Sequence, residues 1–286
     1  MRKIFFAFVA LIACSLSLDA QDASSLYIPS DPARVGTAGI ALGYDASAYA
    51  AEYNSSAIAL SGQTFSFGAS YGSWAPEASG SGVIGAGGFF RTGKIGIGLF
   101  GRRVADSREA LLTNENSVVT GSFKPSDLVA GLGVSYALSE KLSLGAAVKF
   151  LSSSMAPGVK ESSVCFDVNA SYRLDALSVG AGVCNLPLST QVRAGAAYSV
   201  SGLSPAVEIT YNTDGGFGAS AALEYGIADI VFLRGGYHFA SGEAVPPLFA
   251  SLGAGLKFAG IALDAAYILA SDTIGGGFTA GLSYSF

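Results

Sequence analysis

Alternation with a period of two runs through most of this chain and limits what it can fold into more than any other feature. In the last stretch, Phe278, Ala280, Leu282, Tyr284 and Phe286 share one side of an extended strand, and Gly277, Thr279, Gly281, Ser283 and Ser285 share the other. In a water-soluble domain such a strand would leave Tyr284 and Phe286 against solvent and offer an open edge for pairing with another chain. In lipid, closed into a barrel, it has no open edge and its aromatic side chains lie at the membrane interface. The pattern recurs from residue 62 onward in about fourteen segments, each the length of a tilted membrane strand. The expected spans are 62–75, 80–91, 93–104, 126–138, 141–153, 161–174 and 176–186 in the first half. They continue as 190–200, 204–212, 215–226, 229–240, 247–258, 261–271 and 275–286.

The connections follow the same logic. Thr92-Gly93, Ser139-Glu140, Leu174-Asp175, Ser201-Gly202-Leu203, Ile227-Ala228 and Ala259-Gly260 are short, and longer links fall between them, notably Ala105 to Pro125 and Ser152 to Lys160. Short turns on one side and longer loops on the other are the outer-membrane habit. The run Thr279 to Phe286 also resembles the terminal assembly signal of bacterial outer-membrane barrels, carried by Gly281, Tyr284 and Phe286. The resemblance implies delivery to the barrel assembly machinery and contact with outer-membrane lipids. The expected fold is therefore all-β: a transmembrane antiparallel β-barrel of about fourteen strands over 62–286, preceded by a short lumenal, plug-like segment.

Composition agrees. Half of the residues are hydrophobic and 38 are glycine, while charged residues make up only 13%. Small residues facing inward on many strands account for this. A net charge of −5 without a basic stripe argues against nucleic acid as a partner. Residues 1–20 read as an export signal, with Arg2 and Lys3 before the apolar run Ile4 to Ala13 and cleavage after Ala20. Leu11-Ile12-Ala13-Cys14 also resembles a lipobox, which would make Cys14 a lipidated terminus instead.

The segment 21–61 does not alternate. It is expected to fold into the lumen or to close its periplasmic mouth, with a short helix over Ala46 to Ala51 capped by Asp45. Its order Arg34, Gly36, Gly39, Ala41, Asp45, Ala46, Asn54 and Ala57 resembles the N-terminal block of the PorV/PorQ family, outer-membrane barrels of the type IX secretion system that are themselves similar to FadL fatty-acid channels. Thr37-Ala38 stands where that family commonly has Met between glycines, and Ser55-Ser56 replaces its usual Pro-Ala. The resemblance implies a non-enzymatic barrel without a cofactor, binding secreted cargo or attachment proteins through outer loops, here Ala105 to Pro125 and Ser152 to Lys160.

Motifs of soluble enzymes fit poorly. Gly68-Ala69-Ser70-Tyr71-Gly72 matches a nucleophile elbow, and Gly96 to Gly101 a dinucleotide loop, yet both lie inside alternating strands rather than at strand-to-helix turns. The one histidine, His238, has no ligand cluster near it in sequence, so neither a metal nor catalysis is expected. Lys149, Asp167, Arg173, Arg193, Glu208, Glu224, Arg234, Lys257 and Asp264 all have the parity opposite to the apolar face and are expected inside. Their mixed signs suit a packed or plugged interior, or else a polar conduit, with Glu224/Arg234 and Lys257/Asp264 as cross-strand pairs. Cys165 and Cys184 sit at comparable distances from the turn near Asp175, consistent with a cross-strand disulfide or with two small residues facing a crowded lumen. Two functions of different class remain besides the secretion role. One is a FadL-like channel for hydrophobic small molecules, and the other an enzyme built on Ser70 or His238.

Overall fold

The computed structural model describes residues 24–74, 80–115, 117–242, 246–270 and 275–286; the leader, with Cys14 and the cleavage site after Ala20, lies outside them. Among the described residues the strands are β1 (Phe65–Trp74), β2 (Ser81–Thr92), β3 (Ile95–Ala105), β4 (Ala110–Thr113), β5 (Val119–Phe123) and β6 (Ser126–Ala137). Then come β7 (Leu142–Ala156), β8 (Val159–Leu174), β9 (Leu177–Leu186), β10 (Gln191–Tyr198) and β11 (Leu203–Asn212). The last are β12 (Gly216–Ile227), β13 (Val231–Ser241), β14 (Phe249–Phe258), β15 (Ile261–Leu269) and β16 (Gly277–Ser285). Fourteen of them close into one antiparallel barrel in chain order, with β3 beside β6 and β1 beside β16. The expected number of barrel strands and nearly all of their positions hold.

β4 and β5 form a separate two-stranded sheet within the link Ala105 to Pro125, which the alternation did not reveal. The link Ser152 to Lys160 is also less of a loop than its Pro157-Gly158 suggests. β7 and β8, 15 and 16 residues long, continue through most of it as an extended hairpin.

Closure depends on the last strand. Phe67 faces Tyr284 and Ser73 faces Phe278 across the β1–β16 seam. The Phe286 carbonyl accepts the amides of Thr64 (2.7 Å) and Phe65 (3.0 Å), so the terminal residue completes the ladder. Phe65, Phe67, Tyr284 and Phe286 form a tilted aromatic cluster there, with centroids 5.4–6.0 Å apart in the pairs Phe65–Phe286, Phe67–Tyr284 and Tyr284–Phe286. At the short-turn end, Ser201-Gly202 and Ala259-Gly260 have positive φ at both residues, the primed geometry that follows strand twist.

The outer surface is apolar. Leu99, Val207, Ile209, Leu252, Leu263 and Leu282 are all at least half exposed. In water each would forgo about 1.5–3 kcal/mol of burial free energy; against hydrocarbon nothing is lost. Lipid is the solvent that this surface requires.

The interior holds the segment from Ser24 to Gly62. It carries a 3-10 turn (Ser24–Tyr27) and three short helices, α1 (Pro32–Gly36), α2 (Ala50–Tyr53) and α3 (Ser56–Ala59). Asp31 caps α1 by accepting the Ala33 amide at 2.9 Å, and Pro32 starts the helix, where its missing N–H costs nothing. The expected helix over Ala46 to Ala51 is displaced to Ala50–Tyr53. Ser47 accepts the Tyr49 amide (3.2 Å) and holds a turn there, while Asp45 is drawn to Arg173 instead of capping. α1 packs on β13–β16, and α2 and α3 on β2, β3 and β6, α3 reaching β7 and β8 as well. Ala50, Ala51, Ala57 and Ile58 meet Phe89, Phe100, Val129 and Leu151 in the largest buried apolar cluster.

Inward glycines make this close approach feasible. A Cβ on Gly98 would lie 2.9 Å from Ala51 Cβ, and one on Gly87 would lie 2.7 Å from the Ala48 carbonyl oxygen. Gly96 and Gly98 are thus explained by packing against the segment, where a Cβ would meet Ile58 or Ala51.

Candidate lumenal site

The charged residues predicted to face inward are, with one exception, placed there and paired. Lys149 Nζ lies 2.7 Å from Asp167 and donates to Asn185 Oδ1 at 2.9 Å. Arg234 reaches Glu224 (2.5 Å) and Asp264 (2.6 Å). Arg193 pairs with Glu208, whose other oxygen accepts the amides of Ala41 and Leu42, both at 2.9 Å. Arg173 holds Asp45 at 2.6 Å and donates to the Leu60 carbonyl at 2.7 Å. These wall charges therefore tether the lumenal segment as well as one another.

Lys257 is the exception. The register sets Gly255 opposite Asp264 and Lys257 opposite Ala262, so Asp264 joins Arg234 and Lys257 stays exposed at the short-turn end. The cysteines are likewise out of step. From Leu174↔Leu177 to Val168↔Val183 the β8–β9 register points Cys184 toward Asp167, then shifts by a bulge so that Phe166 faces Leu186. Cys165 lies beside Lys149 on β7, and both thiols are free and buried.

Other partners come from the segment itself. Glu52 is paired with Arg102, which also donates to the Ser25 carbonyl at 2.5 Å. Burial holds the Glu52 carboxyl above the ordinary carboxylate range, with Arg102 pulling it back. Asp31 accepts Ser47 Oγ (2.6 Å) and Tyr53 OH (2.5 Å) and lies 3.9 Å from Arg34. Arg34 stands 4.0 Å over the Tyr44 ring, and burial pushes the Tyr44 phenol up to about 12. Of the remaining motif residues, Gly36 touches the Gly253 backbone, Gly39 turns with φ +78, and Asn54 accepts Ser56 Oγ at 2.7 Å. Glu52 and Asp31 lie in a stretch without periodicity, so nothing in the sequence marked them. Arg102 was missed too, although its parity, buried while the adjacent Arg103 is exposed, is the signal that could have found it.

Between the segment and the outer half of the wall lies a cavity of about 100 Å³. Its apolar lining comes from Leu26, Tyr27, Ile28, Trp74 and Phe249, and its polar lining includes Arg34, Glu52, Arg102, Glu208 and His238. Most of these polar groups are already paired, so the charges face one another and the rings and aliphatic chains remain open to the space. Ser70 is not part of it; its hydroxyl donates to the Ser30 carbonyl at 2.6 Å. The hydroxyl beside His238 is that of Ser220.

No family model and no curated protein matches the chain. Solved structures do. The toluene transporter TbuX of Ralstonia pickettii superposes with a TM-score of 0.70 at 12% identity, covering 92% of this chain and 99% of that one. The toluene transporter TodX of Pseudomonas putida gives 0.66 at 13% identity over 90% and 98%, and the monoaromatic hydrocarbon channel CymD gives 0.65 at 12% over 91% and 98%. This protein is a bacterial outer-membrane β-barrel. At such identities the likeness is one of fold alone, and nothing in it points to the PorV/PorQ components that the N-terminal block resembles.

Proposed function

We propose that the chain is a channel that admits small hydrophobic molecules through the outer membrane, with Ser24 to Gly62 as the plug that occludes its lumen. The observation that carries this reading is the outer-half cavity, whose open apolar walls are Trp74, Phe249, Tyr27, Leu26 and Ile28, beside charges such as Glu52, Arg102, Arg193 and Glu208 that are paired with one another. Its size sets the ligand class. An apolar protein cavity of about 150 Å³ accepts benzene, so about 100 Å³ suits one small ring after slight adjustment and leaves no room for a long acyl chain. The resemblance in fold to channels for toluene and other monoaromatic hydrocarbons supports the same class.

A protein-binding role for the outer loops, as in type IX secretion, rests on the N-terminal block alone. Several outer links, such as Thr213 to Gly215, are too short to hold large cargo. The channel reading therefore replaces it.

Trp74 is the single tryptophan of the chain and lines the cavity. Its fluorescence should change saturably when toluene is titrated into the purified barrel, and Phe249→Ala should weaken the response. A response that rises linearly, as for partition into detergent, would contradict the reading.

A further inference from the structure

Four groups link the plug to an outer loop through one histidine. His238 Nε2 lies 3.2 Å from the Pro246 carbonyl oxygen, and Nδ1 lies 2.8 Å from Ser220 Oγ. Ser220 Oγ in turn lies 2.9 Å from the Ala38 carbonyl oxygen, in the turn that follows α1. The ring is stacked on Phe249, centroid to centroid 5.2 Å.

The ends of this chain are carbonyl oxygens, which only accept. Three links therefore need three hydrogens. A neutral imidazole supplies one and the serine hydroxyl another, so one link must stay empty. The imidazolium supplies two, and with the serine hydroxyl all three links are made. We propose that protonation of His238 latches the plug at Ala38 to the barrel wall and to the outer loop at Pro246, and that loss of this proton loosens the plug.

The surroundings favour such a latch at this place. Ala38 also donates its amide to Ser251 Oγ at 3.1 Å, so β12 and β14 grip it from either side of β13. The backbone of β13 comes so close that a Cβ on Gly236 would lie 2.8 Å from Ala38. The charged groups that face His238 are Glu208 of β11 and Arg193 of β10, of opposite sign. Ser220 of β12 and Phe249 of β14 carry no charge, and Glu243 of the outer loop lies outside the described residues. Among the paired lumenal charges, Arg34, Arg102, Lys149, Arg173, Arg193 and Arg234 face one more carboxylate than their own number, in Asp31, Asp45, Glu52, Asp167, Glu208, Glu224 and Asp264. An imidazolium at position 238 evens that balance.

Protonation and latching favour each other, so the latch is tightest at low pH and is lost as pH rises. The test is hydrogen exchange of peptides covering residues 34–44 in the full-length barrel in lipid, corrected for intrinsic exchange chemistry, at about pH 5.5 and about pH 8. Wild type should be about tenfold better protected at the lower pH, the scale of one hydrogen bond gained. His238→Gln should remove that difference. Ser220→Ala keeps the histidine but cuts the relay, and should show the weak, high-pH protection at both values. Equal protection of wild type at the two pH values would overturn the proposal. So would the same pH difference in His238→Gln or in Ser220→Ala. Toluene binding to the cavity is a separate readout, so this result stands or falls apart from the channel reading.

Discussion

Closing a carboxylate inside a barrel removes the water that would otherwise solvate it, and Glu52 shows how the chain answers that cost. Its partner Arg102 is almost wholly buried, so neither charge can turn to solvent if the other is lost. Arg102→Leu should destabilise the barrel by about 3–5 kcal/mol, the range for stranding one member of a buried pair. The measurement is the temperature at which the folded form disappears on an unheated-versus-heated detergent gel. The loss should depend on pH with a definite sign. Burial already raises the Glu52 carboxyl, and without Arg102 nothing opposes that rise. The folded state then keeps the proton at a pH where the unfolded chain has released it, so stability grows as pH falls through that interval. Arg102→Leu should therefore recover part of its loss at about pH 5 relative to pH 8, and Glu52→Gln/Arg102→Leu should show no such recovery. Parity marked nine lumenal charges in the sequence, and eight of them are paired inside the barrel. It failed for Lys257, since facing the lumen at a strand end leaves a side chain in water. It was silent on Asp31 and Glu52, which lie where the backbone has no period.

At the scale of elements, the lumenal segment and the wall are fitted to each other by small residues. Gly236→Val would set branched carbons against Ala38, and the segment is the softer of the two partners, since the wall is held by continuous ladders on both sides of β13. The variant should keep the barrel's heat resistance on gels but show larger or more frequent openings in planar bilayers. Unchanged conductance would mean that the segment does not occlude the lumen. The hairpin of β4 and β5 makes the opposite case. It pairs only with itself, so replacing residues 107–123 by a short turn should leave gel stability within about 0.5 kcal/mol of wild type, the usual range for surface changes. Strands were legible because a two-residue period survives any register, and the terminal strand because its alternation runs to Phe286. The lumenal helices and the β4–β5 hairpin were not. Each is too short to show a period, and local contacts such as the Ser47 turn decide where it begins. The unpaired cysteines have a related cause: the turn between β8 and β9 is centred between Asp175 and Ala176, so the register sets Cys184 against Asp167 and never brings it opposite Cys165.

Across the whole molecule, an apolar exterior, a charge-paired interior and a lumen filled by the segment Ser24 to Gly62 describe a barrel that crosses lipid. The class of fold could be read from alternation, turn lengths and the last strand. The proposed ligand class could not, because the cavity is assembled from Leu26, Tyr27, Trp74, His238 and Phe249, which come from separate parts of the chain and carry no shared motif. The N-terminal block resembles secretion components, while the proposal of a small-ring ligand rests on the cavity beside it. The most direct test of the channel reading is uptake of radiolabelled toluene by Gram-negative cells that lack their own hydrocarbon channels, with and without this protein in the outer membrane. Faster initial uptake with the protein, reduced by Phe249→Ala and increased by Gly236→Val, is the result expected. Equal uptake with and without the protein, at matched outer-membrane levels of folded barrel, would contradict it.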